Sequence, residues 1–215
     1  MDTDVFLAWI GAAAAVIEAN RDHLTQLDAA IGDADHGINL ARGFAAVTTA
    51  LDAADPRPAT PGAVLTLTGS TLISKVGGAS GPLYGVAFRR AGKALGAAAT
   101  VDLPAVEQAL GAALAGVQQL GAAREGDKTM VDALAPATRA LGKAIAEGAA
   151  PDAALSALAE AAAAGAAATV SMQARKGRAS YLGPRSVGHE DPGAASTALI
   201  LAALRDAAGG NTGGR

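Results

Sequence analysis

Cysteine is absent from this 215-residue chain. That removes disulfides, thiolate metal sites and a cysteine nucleophile, and it fits a reducing compartment. Aromatic residues are scarce, at 3% of the sequence, which disfavours a sheet built on aromatic and β-branched side chains. Positive charge is not in excess either: Lys+Arg total 17 against Asp+Glu 20, for a net charge of -3. Such a balance offers no basic field to a nucleic-acid backbone, so nucleic acid is not an expected partner. The N-terminus, Met1-Asp2-Thr3-Asp4, lacks the basic region of a secretory signal. The longest alanine-rich stretch, Ala153 to Val170, is interrupted by Glu160 and Gly165 and reads as too weakly hydrophobic to span a membrane. A cytoplasmic protein with no membrane partner is the expectation.

What the chain does have is alanine in abundance and 51% hydrophobic residues, a composition that favours closely packed helices. An all-α fold follows. Val5, Phe6, Trp9, Ile10, Ala13, Val16 and Ile17 fall at the three-and-four spacing of a buried helical stripe that ends near Asn20. Seven further segments, at about 36–53, 61–76, 81–98, 103–123, 128–147, 151–175 and 192–208, read the same way. Short Gly, Pro or Asp turns separate most of them, so neighbours are expected to pack antiparallel. Two connections differ: the glycine-dense turn Gly77 to Pro82, and the long polar stretch Gly177 to Asp191. With no internal repeat and no linker, one domain is expected over 1–208, followed by a frayed tail over 209–215.

Chemistry concentrates between Asp28 and Ile38, where Asp28, Asp33, Asp35 and His36 surround a glycine-hinged turn. Carboxylates gathered there repel one another unless solvent separates them or a cation holds them. Capping of the next helix by Asp33 or Asp35 is the plain alternative, but it does not require three acids. A calcium loop fails, because its twelfth place would be Phe44, where a bidentate Glu belongs. Magnesium suits better, since it takes one or two carboxylates and completes its shell with water and phosphate oxygens.

Other segments are more ambiguous. In the glycine-dense turn, Ser80 and Pro82 resemble a helix start that attracts phosphate, though a tight helix–helix turn explains them equally. Gly126-Asp127-Lys128-Thr129-Met130 imitates a phosphate loop when Gly121 is taken as its first glycine, but the spacing and the missing strand make it a decoy. Asp127 or Thr129 is read instead as a helix start, and Met130 as a core residue or an apolar contact for a purine. Arg178 lies beyond the terminating Gly177 and can reach into the long loop to neutralise a transferring phosphoryl group. Asp191 and Pro192 read as N-cap and first residue of the last helix. His36 is open among nucleotide contact, turn residue and phosphorylated nucleophile.

Taken in order, Gly32-Asp-Ala-Asp-His-Gly37, Gly77-Gly-Ala-Ser-Gly-Pro82, Gly126-Asp-Lys-Thr-Met130, Met172 to Gly183 and Gly188-His-Glu-Asp-Pro-Gly193 resemble the L subunit of bacterial dihydroxyacetone kinase. The resemblance spans nearly the whole chain. It implies a single-domain barrel of eight antiparallel helices that binds ADP (or ATP) and two Mg2+ at one end. Metal ligands implied are Asp28, Asp33 and Asp35. Nucleotide contacts implied are His36, Gly37, Ile38, Asn39, Ala79, Ser80, Gly121, Met130, Arg178, Asp191, Pro192 and Gly193, with Arg178 as the catalytic residue. It further implies a phosphoryl relay from a phosphohistidine of an M subunit to dihydroxyacetone bound covalently on a K subunit. Three rivals stay open: an ATP-dependent kinase subunit, a kinase for another small ketose or an acyl carrier, and a nucleotide-loaded module that binds a transcriptional regulator. Pairing with a second copy, as a homodimer, is also open.

Overall fold

The computed structural model describes residues 1–210, and it is all-α. Among these residues there are nine α-helices: α1 (Thr3–Ala19), α2 (Arg21–Ile31), α3 (His36–Asp52), α4 (Pro61–Lys75), α5 (Ser80–Leu95), α6 (Leu103–Gly121), α7 (Val131–Ala146), α8 (Pro151–Ala168) and α9 (Pro192–Gly210). Short 3-10 segments occupy Thr169–Ser171 and Arg178–Ser186. No strand is present among the described residues, only an isolated bridge between Asp2 and Thr100.

Eight of these helices close a ring. Each of α3 to α8 packs on the next in sequence, and α1 packs on both α9 and α3. This is the expected eight-helix barrel, with α2 as an addition that the apolar pattern did not reveal. Only Leu24, Asp28 and Ile31 of α2 are buried, too few to make a stripe. It bends 62° away from α1 and packs on α3, α9 and the 3-10 segment at 178–186, closing over one end of the ring.

Start signals sit where capping chemistry puts them. Asp2, Thr60 and Asp102 accept the N–H groups of Val5, Ala63 and Ala105 at the starts of α1, α4 and α6, satisfying donors that the helix leaves unpaired. Inside the ring, Trp9 packs edge-on against Phe6 at 5.7 Å and against Phe88 at 5.9 Å, and Phe88 meets Phe44 at 6.2 Å. The Trp9 indole donates to the Ile200 carbonyl at 2.9 Å, tying α1 to α9. Alanine and glycine elsewhere let backbones approach. A Cβ on Gly69 would stand 2.5 Å from the Gly85 carbonyl, and one on Gly92 2.6 Å from that of Gly62, so the α4–α5 seam tolerates no side chain there.

Two expectations change. Pro151–Ser171 is long and apolar enough to cross a membrane by length and composition, with a mean hydropathy of 1.5. Its Ala154, Leu155, Leu158 and Ala162 are nonetheless buried, and it packs on α7 and α9, as a core helix does. Gly209 and Gly210, expected to open a frayed tail, belong to α9; the rest of that segment, 211–215, lies outside the described residues.

Candidate functional site

Alternation around the ring brings the N-termini of α3, α5, α7 and α9 to one end, together with the C-termini of α2 and α6. His36, Ser80, Met130 and Pro192 from those N-termini all line a single cavity of about 290 Å³. Each helix start carries partial positive charge, so four of them form a field suited to an anion. The cavity has two characters. Asp28, Asp33, Asp35, Ser80 and Arg178 make one side polar, while Leu83, Val117, Ala123 and Met130 make the other apolar.

Asp28, Asp33 and Asp35 each present a carboxylate oxygen within 4.8 Å of the others. Capping does not account for all of them. Asp28, reaching from the last turn of α2, accepts the N–H groups of Asp35 at 2.9 Å and His36 at 3.1 Å, so α3 is capped from another helix. Asp35 sits at the N-cap position without a side-chain cap bond. Ala34 adopts a φ of 62°, a left-handed conformation rare for alanine, which reverses the chain between Asp33 and Asp35. Gly32 is required as well, since a Cβ there would collide with the Asp28 carboxylate. Asp33 is held by Arg178 at 3.0 Å. Two or three hard oxygen donors on a cavity wall, with room for water and phosphate oxygens, fit magnesium.

The His36 side chain turns away from the acids. Its Nδ1 lies 3.1 Å from the Ser80 hydroxyl and its Nε2 2.9 Å from that of Ser196. Ser196 in turn meets the Tyr84 hydroxyl at 2.7 Å, which also lies 2.8 Å from Thr197. Burial holds the imidazole below its ordinary pKa, with Asp28 and Asp35 opposing. The same burial pushes Tyr84 up to about 12. A neutral imidazole with both nitrogens engaged is a structural link between α3, α5 and α9 and a poor nucleophile.

The far wall hangs on Lys128. This residue has a φ of 63° and is 1% exposed. Its ammonium donates to the carbonyls of Thr169 at 2.7 Å, Met172 at 3.2 Å and His189. Three carbonyls can only accept, so the group carries three protons, although burial lowers its pKa against the pull of Asp191 and Glu190. Asp191 caps α9 by accepting the Ala194 N–H at 2.7 Å, and its own N–H donates to Thr169. Burial pushes its carboxyl up to about 7, the Ala194 N–H opposing and the charge of Asp132 adding.

Known proteins resemble this chain in sequence and fold. A family model described as the DAK2 domain matches residues 30–206. The chain belongs to the DAK2 domain family. It is 42% identical over 200 residues to the PEP-dependent dihydroxyacetone kinase, ADP-binding subunit DhaL, of Escherichia coli (strain K12), covering 93% of this chain and 94% of that one. Identity is 37% over 201 residues to the PTS-dependent dihydroxyacetone kinase, ADP-binding subunit DhaL, of Lactococcus lactis subsp. lactis (strain IL1403), covering 94% and 95%. Among solved structures, the dihydroxyacetone kinase from C. freundii in complex with AMP-PNP and Mg2+ superposes with a TM-score of 0.69 at 28% identity. That match covers 96% of this chain but 34% of the longer one. The family resemblance read from the five motifs therefore holds.

Within this DAK2 domain the expected site residues divide. Asp28, Asp33, Asp35, His36, Ala79, Ser80, Gly121, Met130, Arg178, Asp191, Pro192 and Gly193 all line the cavity. Gly37, Ile38 and Asn39 do not line it. Gly37 packs on the backbone of α2, Ile38 is 51% exposed, and Asn39 accepts from Arg42 at 2.8 Å. Sequence reasoning missed Lys128, set aside as part of a decoy, and the partners Tyr84 and Ser196. The segment around Lys128 is not the start of α7, which begins at Val131; Asp132 instead accepts the N–H groups of Gly126 and Thr129, pinning a turn. A buried cation in a left-handed turn leaves no periodic signal. The large exposed apolar side chains of the described residues, Ile38, Ile73, Leu120, Val170, Tyr181 and Val187, all belong to helix ends or loops at this end of the ring.

Proposed function

We propose that this chain is the nucleotide-holding, phosphoryl-transferring subunit of a multi-component dihydroxyacetone kinase. The observation that carries the reading is the meeting of three carboxylates with four helix N-termini in one cavity. Relatives that match over nearly their whole length are ADP-binding subunits, whereas the L-erythrulose 1-kinase of Mycolicibacterium smegmatis matches over 32% of its own length. Bound here, ADP with two Mg2+ would serve as the carrier through which a phosphoryl group passes from an M-subunit phosphohistidine to dihydroxyacetone on a K subunit.

The chain's own residues position and neutralise. Asp28, Asp33 and Asp35 hold the metal corner. The start of α3 at His36 and the start of α5 (Ala79, Ser80) turn their positive ends toward the phosphates. Gly121 and Met130, with Leu83 and Val117, border the base, and Asp191, Pro192 and Gly193 close the opposite wall. Arg178, already beside Asp33, is within reach of a transferring phosphoryl group, where a planar cation offsets developing charge. No protein nucleophile is needed, in keeping with the doubly engaged His36 ring. The apolar rim supports a sugar-carrying partner docking over the mouth and excluding water. A relay serving a small metabolic sugar belongs in the cytoplasm.

The test supplies the purified chain with a K subunit, dihydroxyacetone, and either ATP or a phosphorylated M subunit. Phosphorylated M should support sugar phosphorylation while labelled ADP stays protein-bound. Turnover on ATP with exchange of the bound nucleotide overturns the relay.

A further inference from the structure

A second groove, of about 1180 Å³, runs along the outer side of α4 and α5 and shares no lining residue with the nucleotide cavity. Arg57, Arg89, Arg90 and Lys93 line it, and neither a carboxylate nor an aromatic ring does. In a chain of net charge -3 four cations in one groove are a concentration of sign. They are also largely uncompensated. Among the described residues Arg89 and Lys93 form no ion pair, Arg90 bonds the neutral Gln119 at 2.5 Å, and Arg57 lies 3.9 Å from Asp4.

Two of the arginines are held in place. The Arg89 stem lies over Gly69, where a Cβ would stand 2.7 Å from its Cγ, and the Arg90 stem over Gly116, where a Cβ would stand 2.7 Å from its Cδ. Glycine notches therefore seat the aliphatic stems of both arginines, reducing the side-chain entropy lost when a ligand is bound. The charges are also spread out. Lys93 follows Arg89 by one helical turn, and Arg57 enters from the loop before α4. The α4 lining of the groove runs from Gly62 to Ser70, roughly 12 Å at the helical rise. A compact anion cannot engage that whole length, while an extended peptide covers it with about four residues.

We propose that this groove docks an extended acidic segment of a partner protein, on the side of the barrel, leaving the nucleotide end free. Absence of aromatic platforms and the modest number of cations argue against nucleic acid. The proposal stands apart from the nucleotide reading, whose failure would show as lost Mg-ADP binding.

The test uses a fluorescein-labelled (Glu-Ala-Glu)4 peptide and fluorescence anisotropy at low salt, with the full chain. The R89E/K93E variant should weaken binding at least tenfold and gain binding of (Lys-Ala-Lys)4. The neutral R89Q/K93Q variant should weaken the acidic peptide without gaining the basic one, and it serves if charge reversal impairs folding. K143E, on α7, should leave the acidic peptide within twofold, and every variant should bind Mg-ADP as the natural chain does. Unchanged binding by R89E/K93E or by R89Q/K93Q overturns the proposal, as does equal weakening by K143E. So does displacement of the peptide by inorganic tripolyphosphate or by phosphatidylserine vesicles at matched charge, which would assign the groove to a free anion or to a lipid surface.

Discussion

Replacing Lys128 by Met tests whether one buried ammonium assembles the wall opposite the acids. The side chain is 1% exposed, and its three N–H groups are spent on Thr169, Met172 and His189. A hydrogen bond to a charged group contributes about 1.5–3 kcal/mol net. Simple addition over three bonds overstates the loss, because bonds made by one group are not additive and His189, which supplies one of the carbonyls, is exposed to water. A loss of about 3–5 kcal/mol, the range for removing one partner of a buried charge, is the expectation. That is a large share of the roughly 5–15 kcal/mol by which domains are stable. The damage should be local as well, because Thr169 also accepts the Asp191 N–H and Arg178 follows in the same segment. Urea unfolding measures the first effect, and calorimetric titration of Mg-ADP the second, with Kd rising at least tenfold. K128G is the informative control: it removes the left-handed backbone strain yet also the cation, and should fail like K128M. If K128M unfolds within about 0.5 kcal/mol of the natural chain, the typical span of an inconsequential surface change, and binds Mg-ADP within twofold, the argument is wrong.

Asp33→Ala should abolish Mg-dependent ADP binding in titration while leaving urea stability within about 0.5 kcal/mol, because Asp33 caps nothing and is partly exposed; retained Mg-ADP affinity would remove it from the metal corner. Asp191→Asn should change the pH dependence of stability. With its folded pKa raised to about 7 from 3.8, the natural residue favours folding fully below pH 3.8 and loses that contribution as pH rises through 7. The stability of D191N relative to the natural chain should therefore climb between pH 4 and 7 by up to about 4 kcal/mol, and a pH-independent difference in urea midpoints would refute the burial account. Gly69→Ala should destabilise by about 1–3 kcal/mol through forced separation of α4 and α5; a gain in melting temperature from the better helix propensity of alanine would show that the seam yields.

How much could be read in advance depends on the range of the interaction. The stripe from Val5 to Ile17 and the caps Thr60-Pro61 and Asp102 to Pro104 are local signals, and they placed α1, α4 and α6 within a few residues. The start of α5 at Ser80 and the capping by Asp191 were legible for the same reason. By contrast α2 follows Asn20, which makes no side-chain cap bond, and it buries few apolar residues, so nothing local announces it. That omission mattered, because α2 carries Asp28 and lets it cap α3 from outside. Three acids in a turn remained ambiguous between capping and metal until the structure showed one acid performing the capping and all three converging.

The same division separates what the sequence determined from what the fold decided. Composition and helical periodicity dictated an all-α chain, and five motifs in order dictated its family, since both are properties of residues near one another along the chain. The closure of the ring, the turning of His36 toward Ser196 and Tyr84, the placing of Arg178 on Asp33, and the capture of Lys128 by three carbonyls join residues up to 191 positions apart. Side-chain direction across such distances is set by how helices pack, and packing is a property of the whole barrel.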